Sequence, residues 1–532
     1  MAIMVMDTAL NKNTLAVALI AILSANTSAG EWEFTPQLII DETYSDNVTL
    51  SVDDKISSLV SQTGLELSTT FSSNKLDFSL NSTSVYAMYS YDHDTDDDFH
   101  TLDSTFRLKL APNGLAFTGS AAISNQSRNN SRNALADIVS GDTTRVETYN
   151  TGIEYIIDNS SFLINSQIQY QITQSQDGIG EREGYNAIYQ SKNGSSARHI
   201  YWDVSAELAD YTNQGVDGQL FNGEIKIGLI TDYKVTPFLR YYDETNEGDL
   251  IDNSSSLESN SYGGGLRWLI SPRLLLDLSY NTPIGTQLDV DGQQQEDYTA
   301  ATIQWEPSQR TLLKIDYGHR FYGESYGLDF THKNKRLTNS ITYIEAVSAF
   351  TRNNYESVAL GSYWCPKDDI TDSTACFINN NQNINFDGYQ LRNFIDFVLQ
   401  EDLALSLNKT LEWSSKLQLS RTTFDFTLSS LVRENLTTRS EDENVSASFS
   451  IKRKISGKSN IQLKLEYNDD HRLLKQVDER QDRYRRYSLE YDKSLNSKLT
   501  VKLGLSHLNR YSTTQSFNYE ENRITLKLSK GF

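Results

Sequence analysis

The sequence predicts an all-β protein, a transmembrane antiparallel up-and-down β-barrel of about 24 strands (range about 22–26). Three observations carry this. Apolar and polar residues alternate with a period of two along nearly the whole chain. Short turns and longer, acidic segments separate the alternating stretches. The chain ends on an aromatic residue, Phe532, inside a strand pattern.

The bulk composition fits. Of 532 residues only 38% are hydrophobic, yet there are 30 Tyr, 21 Phe and 6 Trp. Regularly spaced apolar residues and abundant aromatics exclude a disordered chain. A net charge of -22 argues against a nucleic-acid partner. After the first thirty residues no apolar run is long enough for a membrane helix. Residues 1–29 read as a cleaved signal peptide. Lys12 gives a positive start, Leu15 to Leu23 an apolar core, and Thr27-Ser28-Ala29 a small-residue cleavage site. Residues 30–532 are then one outer-membrane β-barrel domain, exported to the bacterial outer membrane.

The alternation is explicit. Leu65, Leu67 and Phe71 oppose Glu66, Ser68 and Thr70. Ile225, Ile227 and Leu229 oppose Glu224, Lys226 and Gly228. Leu313, Ile315 and Tyr317 oppose Lys314, Asp316 and Gly318, and Ile461, Leu463 and Leu465 oppose Gln462, Lys464 and Glu466. Turn residues recur at Ser73-Asn74, Pro112-Asn113-Gly114, Asp158-Asn159, Asn193-Gly194, Ser271-Pro272-Arg273, Pro307-Ser308 and Ser456-Gly457. Between them lie longer segments at 92–99, 126–143, 174–184, 245–258, 283–295, 348–390, 426–438 and 470–482, expected to alternate strictly with the short turns. That asymmetry, short turns at one end and long loops at the other, separates a membrane barrel from a soluble sandwich. Aromatics gather near strand ends (Tyr86, Tyr201, Trp202, Trp268, Trp305), as interfacial girdles require.

The polar face supplies charged candidates for the lumen: Glu66, Arg107, Lys109, Glu224, Lys226, Arg267, Asp277, Lys314, Asp316, Lys464, Glu466, Lys502 and Lys527. They could line a wet channel that filters solutes, or form a ladder of ion pairs that satisfies a polar interior. Asp92, Asp94 and Asp96 carry the oxygen-rich spacing of a weak calcium site, but the loop lacks the Gly and the bidentate Glu of a dedicated one. They read mainly as a solvated outer loop. Cys365 and Cys376, in the longest loop (348–390), suggest one disulfide in an exported chain. No nucleophile–His arrangement, metalloprotease helix or haem motif occurs among the residues, so no enzyme and no cofactor are expected.

The mature chain opens with Trp32-Glu33-Phe34-Thr35-Pro36 and reaches Tyr44-Ser45-Asp46-Asn47-Val48. This stretch resembles the opening of the PEP-CTERM system-associated outer-membrane β-barrel family, of porin-like or exopolysaccharide-associated barrels. Its motif residues here are Trp32, Pro36, Tyr44, Asp46 and Asn47. The resemblance implies a Gram-negative envelope that makes exopolysaccharide, and a barrel serving polymer export or biofilm matrix assembly. At the other end, Ile524, Leu526, Leu528 and Phe532 resemble the C-terminal insertion signal read by the barrel-assembly machinery, with Lys530 a departure from it. The last strand is expected to pair with the first, near Phe34 to Tyr44.

Three functions follow as expectations: a conduit or accessory barrel for exopolysaccharide secretion, a general small-solute porin, or a structural or adhesive barrel with cation-binding acidic loops. Expected partners are outer-membrane lipid and lipopolysaccharide, the barrel-assembly machinery, exopolysaccharide and periplasmic export proteins. The cysteine pair gives the first prediction. Under non-reducing conditions Cys365 and Cys376 should resist alkylation, and mass spectrometry of envelope-purified protein finding free thiols would refute the staple.

Overall fold

The computed structural model describes residues 30–128, 135–213, 215–248, 257–349, 351–366, 388–402, 405–437, 439–473, 480–513 and 517–532. The expected signal peptide, residues 1–29, lies outside them. One antiparallel sheet runs through the chain and closes on itself, because the first strand, Glu31–Ser45, pairs with both the second, Ser58–Ser72, and the last, Tyr519–Gly531. The sheet has 25 segments. One of them, Leu257–Glu258, is a two-residue start of the strand that continues at Ser261–Ser271, since both pair with Val235–Gly248. The ring therefore has twenty-four staves, each hydrogen-bonded to its sequence neighbour except at the seam and across one inserted hairpin.

A closed ring fixes two faces. Cross-strand partners share a face and successive residues alternate between faces. Following the register from Ile40 through Leu528, Leu526 and Ile524 identifies the outer face. That face carries Leu65, Ile168, Leu239 and Tyr262, 56–73% exposed. Apolar side chains so open to the surroundings suit hydrocarbon rather than water. None of the described helices is long and apolar enough to cross a membrane; the crossing is made by strands.

The belt has different aromatic edges. Toward the turn end stand Trp32, Trp202, Trp268, Trp305 and Trp413. Toward the loop end, tyrosine hydroxyls donate to carboxylates two residues along the same strand: Tyr149 to Glu147 at 2.8 Å, Tyr241 to Asp243 at 3.1 Å, Tyr343 to Glu345 at 2.7 Å and Tyr467 to Asp469 at 2.9 Å. Each pair holds an apolar ring beside the belt and a charge just beyond it.

The seam is closed by backbone and side chains together. Gln37 to Ser45 face Gly531 to Arg523. At the turn end the Phe532 N–H donates to the Pro36 carbonyl at 3.1 Å. At the loop end the Asp46 carboxylate accepts from the Asn522 backbone N–H and side-chain amide, both at 2.7 Å. Asn47 is fully buried. Its side chain donates to the Ser51 and Glu520 carbonyls at 2.8 and 3.0 Å and accepts from the Ser51 N–H at 3.0 Å. The motif residues Pro36, Asp46 and Asn47 thus clasp the two ends of the sheet. Tyr44 lies on the outer face opposite Ile524, and Trp32 packs on Phe71 with ring centroids 4.6 Å apart.

Several expectations change. The segment 426–438 is not a loop: the strand Thr422–Asn435 runs through most of it, and only 436–440 connects. Ser429 and Arg433 continue the inner-face alternation while Ser430 and Glu434 fall on the outer face, so polarity there marks a strand leaving the membrane. The segment 348–390 is no simple loop either. Thr351–Pro366 and Tyr389–Asp402 form a separate two-stranded hairpin between neighbouring staves Leu337–Ser348 and Ser406–Gln418. Cys365 is buried near its tip; Cys376 lies outside the described residues. Turn and loop lengths do not alternate strictly, because two loop-end connections, 214–215 and 321–322, have only two residues. At the other end the eleven connections are two to six residues long.

The clasp yields a prediction. Asn47→Ala removes three hydrogen bonds from a buried site and should cost about 3 kcal/mol. Urea unfolding of the protein in lipid vesicles should show it, whereas Asp94→Ala in an exposed loop should change little. Equal stabilities for the two variants would contradict the clasp.

The lumen wall and its outer mouth as a candidate functional site

Alternation through the ring puts all thirteen charged candidates on the inner face. Most meet an opposite charge there. Arg107 pairs with Glu154 at 2.8 Å and Lys109 with Asp77 at 3.4 Å. Glu224 bridges Lys226 at 3.1 Å and Arg240 at 2.5 Å. Arg267 grips Asp277 with two bonds of 2.7 and 2.5 Å, and its guanidinium lies 3.9 Å from the Tyr201 ring centroid. Lys314 meets Asp316 at 2.9 Å, Lys464 meets Glu466 at 2.6 Å and Lys502 meets Glu490 at 2.9 Å. Glu66 sits across from Gln37 and Thr83, and Lys527 between Asp41 and Lys502. Beside the Arg107–Glu154 pair runs an amide ladder. Gln167, Gln169 and Gln171 on one stave face Glu154, Gly152 and Asn150 on one side and Ile188, Asn186 and Gly184 on the other.

The inner face changes character only at the loop end, where it becomes apolar. Val60, Val85, Ala87, Tyr89 and Phe99 on the wall bury Val48 and Val139, which come from connecting segments. Leu50 packs on Leu508 and Tyr519, with Leu135 beside them. So segments 46–57 and 135–142 fold against the wall inside the mouth. Leu50 and Ala136 adopt left-handed backbone, φ 52° in both. That conformation costs roughly 1–2 kcal/mol per residue, and burying Leu50 offsets it by about 2 kcal/mol.

Polar contacts fix the second segment. The Tyr89 hydroxyl donates to the Ile138 carbonyl at 2.7 Å. Asp137 reaches Arg486 at 3.3 Å and Arg523 more closely, and Ser140 accepts from Arg523 at 2.9 Å. Arg523 also pairs with buried Glu521 at 2.7 Å. Burial alone would raise the Asp137 carboxyl; the Arg523 and Arg486 guanidiniums outweigh it and hold the group below its ordinary value. Elsewhere on the mouth, Arg439 donates to the Val290 carbonyl at 2.7 Å and pairs with Asp291 at 2.8 Å, while the Val290 N–H meets the Phe321 carbonyl at 2.9 Å. Segment 284–297 thereby covers the two-residue turn at 321–322.

Asp137, Arg486, Arg523 and Glu521 were not among the sequence candidates. Arg480, Asp482, Tyr484 and Arg486 alternate along the strand Arg480–Ser494, whose first residues fall in the expected loop 470–482, and nothing local ties Asp137 to it. Asp92, Asp94 and Asp96 do not converge. Asp92 accepts from the Asp94 N–H at 3.0 Å, and Asp96 accepts from the Tyr89 N–H at 2.8 Å. No group of three or more potential metal ligands occurs among the described residues.

No family model matches the chain, and no curated protein does. Among solved structures it is similar to a ferric enterobactin receptor mutant from Pseudomonas aeruginosa in complex with enterobactin. The identity is 11% and the TM-score 0.42, covering 94% of this chain and 81% of that one. A siderophore receptor, PirA, from Acinetobacter baumannii gives 8%, 0.39, 95% and 81%. OpdK from Pseudomonas aeruginosa, with vanillate, gives 7%, 0.31, 94% and 99%. The closed ring and its apolar belt make this chain an outer-membrane β-barrel.

The anchor gives a prediction with a definite sign. A carboxyl held below its ordinary value stabilises the anchor fully above pH 3.8, progressively less below it, and not at all once pH falls through the folded-state value. Asp137→Asn, which takes a carboxylate from two guanidiniums, should weaken the anchor by about 3 kcal/mol. Planar-bilayer recordings should then show more frequent openings at neutral pH than in the parent protein. Identical traces would separate the anchor from gating.

Proposed function

We propose that the protein is a conduit for a hydrophilic polymer, an exopolysaccharide, across the outer membrane, closed at rest by its inward-folded outer segments. The observation that carries this is the width of the ring. Barrels of 16–18 strands already leave an aqueous channel, and 22-stranded ones carry a plug. Twenty-four staves enclose more space still, and every described element belongs to the ring or its connections. The inner wall is wet in character, with paired charges and an amide ladder that suit hydroxyl-rich solutes. The inward segments at the mouth supply closure.

Polymer assays test it. Deleting the gene should reduce exopolysaccharide at the cell surface severalfold, and the parent gene should restore it. Unchanged surface polymer in the deletion strain would remove the export reading.

A further inference from the structure

We propose that the turn-end mouth of the lumen is a cationic vestibule that binds a polyanionic substrate, a polysaccharide carrying regularly spaced carboxylates. This rests on the conduit reading and names its substrate class.

The last residue of eight of the eleven turn-end connections is Lys or Arg. In the first part of the chain these are Lys75, Lys234, Arg273 and Arg310. In the second they are Arg336, Arg421, Lys458 and Lys498. They occupy one structural position. The carbonyl of each accepts a hydrogen bond from the adjoining stave: Lys109 N–H to Lys75 at 2.7 Å, Lys333 N–H to Arg310 at 2.7 Å, Gly531 N–H to Lys498 at 2.7 Å, and likewise for the others. Each is therefore one more rung of the ladder, and the strand's alternation extends through it. Two residues on, the same face bears Asp77 after Lys75 and Thr338 after Arg336, both on the lumen side. The eight cations ring the lumen at its turn end.

Stability does not account for them. All eight are exposed. Arg273 donates to a neutral carbonyl, that of Pro307 at 2.7 Å, although Glu306 stands across from it on the ladder. Lys75 lies across from Lys109, Arg310 from Lys333 and Arg421 from Lys454, one rung beyond the paired registers. Like charges directly opposite destabilise a sheet. The chain as a whole has a net charge of -22, so this concentration runs against its composition. At the loop end the inner-face arginines are spent on carboxylates: Arg510 and Arg480 on Asp482, and Arg523 on Asp137 and Glu521. Cations on alternate staves stand roughly 10 Å apart, about one Debye length, so their fields overlap across the mouth. Rings of Lys and Arg select anions, and a chain with many carboxylates meets several at once.

The test is equilibrium binding to the purified full chain in detergent. The probe is a fluorescent oligogalacturonate, and the control a neutral oligoglucoside of the same length. The uronate should bind at least about tenfold more tightly than the control, and should weaken about tenfold between low and high salt. A variant carrying Lys75→Gln, Arg310→Gln, Arg336→Gln and Arg421→Gln, checked for native mobility on unheated gels, should lose about tenfold in uronate affinity and nothing toward the control. Equal binding of the two oligomers, or full uronate affinity in the variant, overturns the proposal. Binding does not depend on conduction. Uronate binding with unchanged polymer export would sink the conduit and keep the vestibule; export without uronate preference would do the reverse.

Discussion

The structure depends on one non-local pairing, that of the first strand with the last. In hydrocarbon an unpaired N–H or C=O costs several kcal/mol, so a spanning sheet has to close. Apart from the pairing across the inserted hairpin, every other stave pairs with its neighbour in sequence. Only the seam joins the two ends of the chain, and it receives the densest clasp: nine backbone rungs, Asp46 on Asn522, buried Asn47 on Glu520, and Phe532 on Pro36. Its register sets the face of every residue in the ring. A slip of the last strand by one residue would turn Lys527 toward lipid and Leu526 and Leu528 toward the lumen.

A wide ring creates a second demand. Its inner wall must be wet enough for solutes yet held in one arrangement. Paired charges do this along the shaft, where water can screen them and each pair adds little stability. At the outer mouth the logic inverts. Apolar wall residues bury Val48, Leu50 and Val139, and the ionic contacts beside them are shielded from water. Asp137 remains charged there because two guanidiniums face it. Removing one partner from such a set costs far more than the set contributes as a whole, which makes it suited to holding a segment in place.

Much of this was legible in the sequence. A period of two needs no long-range information, so the faces of Glu224, Lys226, Lys464 and Glu466 could be read from their apolar neighbours. The pairing of ENRITLKLSKGF with the opening strand followed from closure. Other features depended on distance. Asp137 meets Arg486 and Arg523 only because the ring brings staves far apart in sequence together. The hairpin Thr351–Pro366 with Tyr389–Asp402 has strand-like composition without a place in the ring, and length alone read as loop. Polar residues at 426–438 misled for a physical reason: beyond the lipid belt a stave no longer needs an apolar outer face.

The turn-end cations were in plain view as well, but as turn residues they invited a local explanation. Lys and Arg are ordinary in exposed turns. What gives them meaning is the ladder bond each carbonyl accepts, since that bond turns eight unrelated turns into one repeated position on one face. The loop end shows the converse arrangement on the opposite face, where tyrosines hold carboxylates outside the belt. Charge in this barrel is thus sorted by height and by face together. A net charge of -22 is an average over the whole ring and conceals the eight exposed cations at the turn end.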